Sequence, residues 1–259
     1  VISRRAHFVV AIVLAAGLGP IGVFAQGRGE APGPPTAKAD APFDLTGYWV
    51  SVITEDWRYR MVTPAKGDYQ GLGMLNPAAM KVAARWDPDA DEKAGEQCKS
   101  YGAASILRVP GRIHITWADD NTLRLEFDAG MQKRAFHFGS AVTKSADRSW
   151  QGDSVARWEV PRGRGRAGGP PPPKFDSLKV VTTNLRAGYL RKNGVPYSEG
   201  AVVTDYFDLI PQGAREPLLV VTTIVEDPEY LTQPFIVSTQ FRRQGDARGW
   251  DPTPCSATW

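Results

Sequence analysis

Hydrophobic and polar positions alternate most cleanly between Arg112 and Phe138. Ile113, Ile115 and Trp117 take one side of a first strand, Leu123, Leu125 and Phe127 one side of a second, and Arg134, Phe136 and Phe138 one side of a third. A period of two marks half-buried strands, so the stretch predicts an antiparallel meander. Asp119-Asp120-Asn121 and Ala129-Gly130 supply its turns, through Asx hydrogen bonding and a glycine able to take positive φ. The other side carries Arg112, His114 and Thr116, then Arg124, Glu126 and Asp128, then Lys133, Ala135 and His137. Sorting by polarity across the first hairpin pairs Trp117 with Leu123 and sets His114 opposite Glu126. In the second hairpin, pairing Asp128 with Lys133 sets Arg124 opposite His137. Facing water, this polar row is a solvated sheet surface. Turned into a closed barrel, it surrounds a ligand with His114 or His137 as a proton carrier tuned by Glu126.

The remaining pattern is also mostly strand. Asp44 to Met61 reads as the first strand region, with Trp57, Arg58 and Arg60 toward the end where a barrel opens; these are candidate ligand contacts, together with Arg124 and Tyr206. Further strands are expected at 149–159, 178–183, 201–210, 218–225 and 235–243, punctuated by Asn193-Gly194, Pro211-Gln212-Gly213 and Asp227-Pro228. The clearest helix runs from Asn76 to Trp86: Asn76 caps, Pro77 fits the first turn, and Ala79, Val82, Ala83 and Trp86 form an apolar stripe. A second short helical piece is expected from Asp91 to Gln97. The fold class is therefore all-β: an antiparallel, closed or nearly closed barrel of about ten strands with one or two short covering helices.

Composition adds a compartment. Residues 1–25 have the anatomy of a secretory signal, with Arg4-Arg5, an apolar run from Phe8 to Phe24 interrupted by Gly17, Gly19 and Pro20, and a small residue, Ala25, before Gln26. Residues 26–41 are rich in Gly, Pro and Ala and predict a flexible linker, and 42–259 the barrel domain. Pro161 to Lys174 is a low-complexity insert of Arg, Gly and Pro, expected as a disordered loop. Cys98 and Cys255 are the only cysteines, and in an exported chain the economical expectation is one disulfide between them. Thirty-one Lys and Arg against 28 Asp and Glu leave a formal charge of only +3, weak support for nucleic acid. Nothing has the spacing of a metal site, a phosphate loop or a nucleophile elbow, so no metal and no cofactor are expected.

Gly47-Tyr48-Trp49 resembles the GxW that opens the first strand of lipocalins. Beyond it come Cys98 before the meander; Trp150, Gly152, Ser154, Trp158 and Glu159; Ser198-Glu199 ahead of Tyr206 and Phe207; the run Val225-Glu226-Asp227-Pro228-Glu229-Tyr230-Leu231-Thr232-Gln233-Pro234-Phe235; and Cys255. In this order they resemble a family of uncharacterised exported bacterial proteins with a lipocalin-like domain, and the resemblance covers nearly everything after Pro42. Two departures stand out. Where members of that family carry histidines, this chain has Tyr197 and Asp153, and the insert from Pro161 to Lys174 replaces a short turn. The resemblance implies a barrel and a periplasmic or secreted location but no activity.

Three functional classes follow. The first is an exported barrel that binds a small, partly apolar ligand in the barrel cavity, with no nucleic acid and no stable membrane insertion once the signal is removed. The second is an acid/base enzyme, a lyase, isomerase or hydrolase, using His114 or His137 with Glu126, Asp128 or Glu199. The third is an envelope structural or interaction module.

Overall fold

The computed structural model describes residues 35–139, 145–159 and 177–258. The expected signal at 1–25, most of the linker and the insert at 161–174 lie outside the described residues.

The first strand, β1 (Gly47–Val52), is shorter than its sequence region, because Asp56 takes a left-handed φ of 50° and opens a single helical turn, α1 (Trp57–Arg60). Aspartate tolerates that conformation better than most residues. Trp57, Arg58 and Arg60 thus sit on a turn beyond the strand and not along it, a correction to the expected placement. Helix α2 (Pro77–Ala83) starts as its sequence dictates, with Asn76 Oδ1 accepting from the Ala79 amide at 3.0 Å. Asp87 ends that segment and caps α3 (Pro88–Lys93) through the Ala90 amide at 3.1 Å. Two 3₁₀ turns, Gln97–Tyr101 and Ile106–Arg108, lead into the meander β2 (Arg112–Asp119), β3 (Thr122–Phe127) and β4 (Lys133–Phe138). Then follow β5 (Asp153–Glu159), β6 (Ser177–Thr183), a small hairpin of β7 (Gly188–Arg191) and β8 (Val195–Tyr197), and the long strands β9 (Val202–Gln212), β10 (Arg215–Glu226) and β11 (Phe235–Gln244).

Nine of these strands close a barrel in the order β1-β11-β10-β9-β6-β5-β4-β3-β2, while β7 and β8 form a separate two-stranded sheet. Every barrel neighbour is antiparallel except β4 and β5, which run parallel, so the barrel is mixed. The first hairpin has the expected register, with Trp117 opposite Leu123 and His114 opposite Glu126. The second differs by two residues: Glu126 faces Lys133, Arg124 faces Ala135, and His137 faces Thr122. The turn between them is longer than expected, with Gly130 and Met131 both at positive φ. A slip of two keeps every side chain on its own face, so the polarity pattern could not detect it.

The apolar faces point inward. Trp49, Ile113, Ile115, Leu123, Leu125, Phe136, Leu178, Val180, Phe207, Leu219, Val221 and Phe241 are buried and pack as one cluster. Fully burying each such side chain stabilises by about 1.5–3 kcal/mol, against roughly 0–1 kcal/mol for an exposed ion pair, so the interior holds the barrel and the outer charges do little. The polar row of the meander, apart from buried Asp128, lies on the outer wall, so of the two readings that the sequence left open the fold takes the solvated surface.

A polar network also enters the interior. Arg134 on β4 and Asp205 on β9 are completely buried and form an ion pair at 3.0 Å. Arg134 also donates to Thr182 at 3.0 Å, Thr223 donates to Asp205 at 2.6 Å, and Thr182 shares a 2.8 Å hydrogen bond with Ser154. Burial pushes the Asp205 carboxyl up, opposed by the Arg134 charge and the Thr223 hydroxyl.

A second cluster, including Leu72, Leu190, Val195, Tyr197, Leu231 and Phe235, packs the segments that precede β2, connect β6 to β9 and connect β10 to β11. Cys98 and Cys255 are joined by a disulfide across 157 residues, as expected from the sequence. At the start of the described residues, Ala37 and Lys38 hydrogen-bond to Asn121 and Asp120 of the β2–β3 turn, so the end of the expected linker lies along the barrel.

Candidate ligand cleft

The β7–β8 hairpin turns at Lys192-Asn193-Gly194, and that turn fixes one side of a cleft. Asn193, fully buried, donates to the carbonyls of Ala65 and Asp68 at 3.1 and 2.9 Å, tying the 65–71 loop to the hairpin. Gly194 needs φ near +80°, and its backbone lies so close to Trp86 that a Cβ would enter the indole. With the turn so held, Arg191 lies 4.1 Å over the Tyr59 ring and donates to the Gln70 carbonyl at 2.9 Å. Tyr59 in turn donates to the Gln70 side chain at 2.9 Å.

Between α1, the 65–74 loop and the start of β11 opens a cleft of about 360 Å³. Its walls combine apolar Met74, Phe235, Ile236 and Val237 with polar Asp56, Arg58, Tyr59, Gln70 and Arg191. Tyr59 and Arg191 also line a smaller void of about 20 Å³, together with Arg60, Arg108 and Lys192. Room for one water-sized group therefore lies among four cationic side chains.

All four cations are buried. Arg60 pairs with Glu55 and donates to the Arg108 carbonyl at 2.9 Å, and Arg108 pairs with Asp56 at 3.0 Å. Burial lowers the guanidinium pKa of all three arginines. Arg108 comes down to about 10 as Arg191 and Arg60 add to the burial effect and Asp56 opposes it. All three stay charged at neutral pH.

Lys192 donates to the Tyr101 hydroxyl at 2.8 Å and to the Ser256 carbonyl at 3.2 Å. Burial pulls its ammonium down to about 7, with Glu92 opposing. A lysine depressed on folding leaves the unfolded chain holding more protons between pH 7 and the ordinary lysine range near 10.5. Stability at this site accordingly rises with pH across that window. Urea unfolding at pH 7, 8 and 9 is expected to show a positive slope of no more than about 1.4 kcal/mol per pH unit, absent in Lys192→Met.

The residues singled out from the sequence are dispersed. Arg58 lines the larger cleft and Arg60 the smaller void, whereas Trp57 is 64% exposed. Arg124 is exposed on the barrel wall, and Tyr206, also on the wall, lies under Lys179 at 5.2 Å. His114 stacks on Tyr48 with ring centroids 4.1 Å apart and sits 3.6 Å from Glu126. The hydrogen bond from Lys133 lowers the Glu126 pKa. His137 is 3.3 Å from Thr122 on the same outer wall. Asp128 is buried and accepts from the Arg112 and Ala129 amides at 2.7 Å, closing the meander turn. Glu199 is exposed and paired with Arg148. His114 and Glu126 are brought together; His137, Asp128 and Glu199 stand apart from them.

Arg108, Arg191 and Lys192 escaped the sequence reading. Arg108 had a signal, a charge inside the apolar run Ile106-Leu107-Arg108-Val109. Several resembling motifs hold loops together: Ser198 donates through its amide and hydroxyl to buried Asp227 at 2.6 and 2.7 Å. No helix among the described residues is long and apolar enough to cross a membrane, and among them no group of three or more His, Cys, Asp or Glu is placed to hold a metal ion. Comparison with protein-family models, curated proteins and solved structures gave no match.

Proposed function

We propose that this chain is an exported binding protein, related to the uncharacterised bacterial family it resembles, that holds a small, partly apolar ligand in the cleft beside α1. The observation that carries this reading is the cleft's lining. Apolar Met74, Phe235 and Val237 face Tyr59, Gln70 and the buried Arg191 around about 360 Å³, within the size range of a small-molecule site. The disulfide supports an oxidising compartment, which is periplasmic or extracellular for an exported chain.

Native mass spectrometry of the chain purified gently from its own envelope is expected to detect a bound small molecule. Met74→Trp, which fills the cleft with an indole, is expected to arrive empty. An equal load on both proteins places the ligand elsewhere, and an empty wild type argues against the carrier role.

A further inference from the structure

Three buried arginines around one small void are an unusual use of charge. Arg60 is 2%, Arg108 7% and Arg191 5% exposed, and all three line the void of about 20 Å³. Each has a buried guanidinium nitrogen without a hydrogen-bond partner among the described residues: Nη2 of Arg60, Nη1 of Arg108 and Nε of Arg191. A buried donor without a partner is costly, the more so on a charged group, so three beside one void make that void a place for an acceptor. The carboxylates paired with the cluster leave these donors unmet. Glu55 is committed to Arg60 and Asp56 to Arg108, while Arg191 rests on the Tyr59 ring and the Gln70 carbonyl.

We propose that the void is an oxyanion site, and that the ligand of the cleft is a small organic anion, one oxygen of whose head group enters the void among Arg60, Arg108 and Arg191 while its apolar body lies against Met74, Phe235 and Val237. This rests on the cleft being the ligand site. Guanidinium N–H groups match the oxygens of carboxylate and phosphate, and both bonds are strengthened by charge. Tyr59 and Arg191 line void and cleft alike, which places the two side by side.

The test is calorimetric titration of the purified chain with benzoate, phenyl phosphate and benzyl alcohol, which share a ring and differ in the head. One charge-assisted hydrogen bond predicts a preference for an oxyanion over benzyl alcohol of at least about tenfold. Whichever of benzoate and phenyl phosphate has the larger preference identifies the head as carboxylate or phosphate. Arg191→Met is expected to collapse the preference toward unity and Arg191→Lys to retain part of it; if the methionine variant fails to fold, the neutral Arg191→Gln takes its place. Met74→Trp is expected to weaken all three ligands. Equal affinity for the charged and neutral probes, blocked by Met74→Trp, leaves the cleft as the ligand site and overturns the oxyanion assignment. A preference that survives in Arg191→Met overturns it as well. Binding of none of the probes, or binding indifferent to Met74→Trp, counts against the cleft itself.

Discussion

Asp205→Ala is expected to destabilise the barrel by about 3–5 kcal/mol, because it leaves the Arg134 guanidinium charged and unpaired in the interior. Arg134→Met should cost a comparable amount by stranding Asp205. Both side chains are fully buried, so water cannot take the lost partner's place without the barrel opening. The double variant Arg134→Met/Asp205→Leu is expected to recover most or all of the loss, since two apolar side chains of similar volume avoid the desolvation cost that the pair must offset. Urea midpoints of the three variants and the parent check this. A double variant as unstable as the singles would mean that Thr182, Thr223 and Ser154, which surround the pair, need its charges to satisfy their own hydrogen bonds.

Loss of the Cys98–Cys255 disulfide is the second large effect. Closing a loop of 157 residues removes enough freedom from the unfolded chain to stabilise the fold by about 5 kcal/mol in the chain-entropy model. Domains of this kind have about 5–15 kcal/mol in total, so Cys98→Ser should lower the melting temperature sharply and leave it insensitive to reductant. Wild type should fall to the same temperature when reduced. The segment around Cys255 is held by other contacts too: the Thr253 amide donates to the Asp128 carbonyl at 3.0 Å and the Ala257 amide to Glu92 at 2.7 Å. A loss below about 1 kcal/mol would assign the anchoring to those hydrogen bonds and not to the cross-link.

Much of the barrel was legible in the alternation of the strands, because a half-buried antiparallel strand writes its two faces directly into sequence. The His114–Glu126 pairing followed from polarity alone, and the cap at Asn76 from an Asn-Pro step ahead of an apolar helical stripe. Three kinds of information were not written that way. The register of the second hairpin depended on turn length, to which alternation is blind in steps of two. The orientation of the polar row depended on barrel closure, a property of nine strands together. The interior ion pair was visible only as an irregularity: Arg134 falls on the apolar side of its strand, and Asp205 alternates with Val203 and Phe207. The cleft is the least legible part. Its arginines come from α1, a 3₁₀ turn and a hairpin far along the chain from both, and no local spacing joins Arg60, Arg108 and Arg191. Arg58 and Arg60 were singled out for lying near a barrel opening, and their use instead follows from the left-handed Asp56 that bends the chain off the strand.

The position of β1 bears on how the chain is made. It lies between β2 and β11, so its second neighbour does not exist until Phe235–Gln244 has been synthesised, roughly 180 residues after Val52. At about 5–20 residues per second, β1 waits on the order of ten to forty seconds with one row of backbone donors and acceptors open. Pairing between elements so distant in sequence is also intrinsically slow. An unmatched strand edge is a template for other chains, so incomplete products ending before β11 are the species most prone to aggregate, and a holding chaperone would find its substrate there.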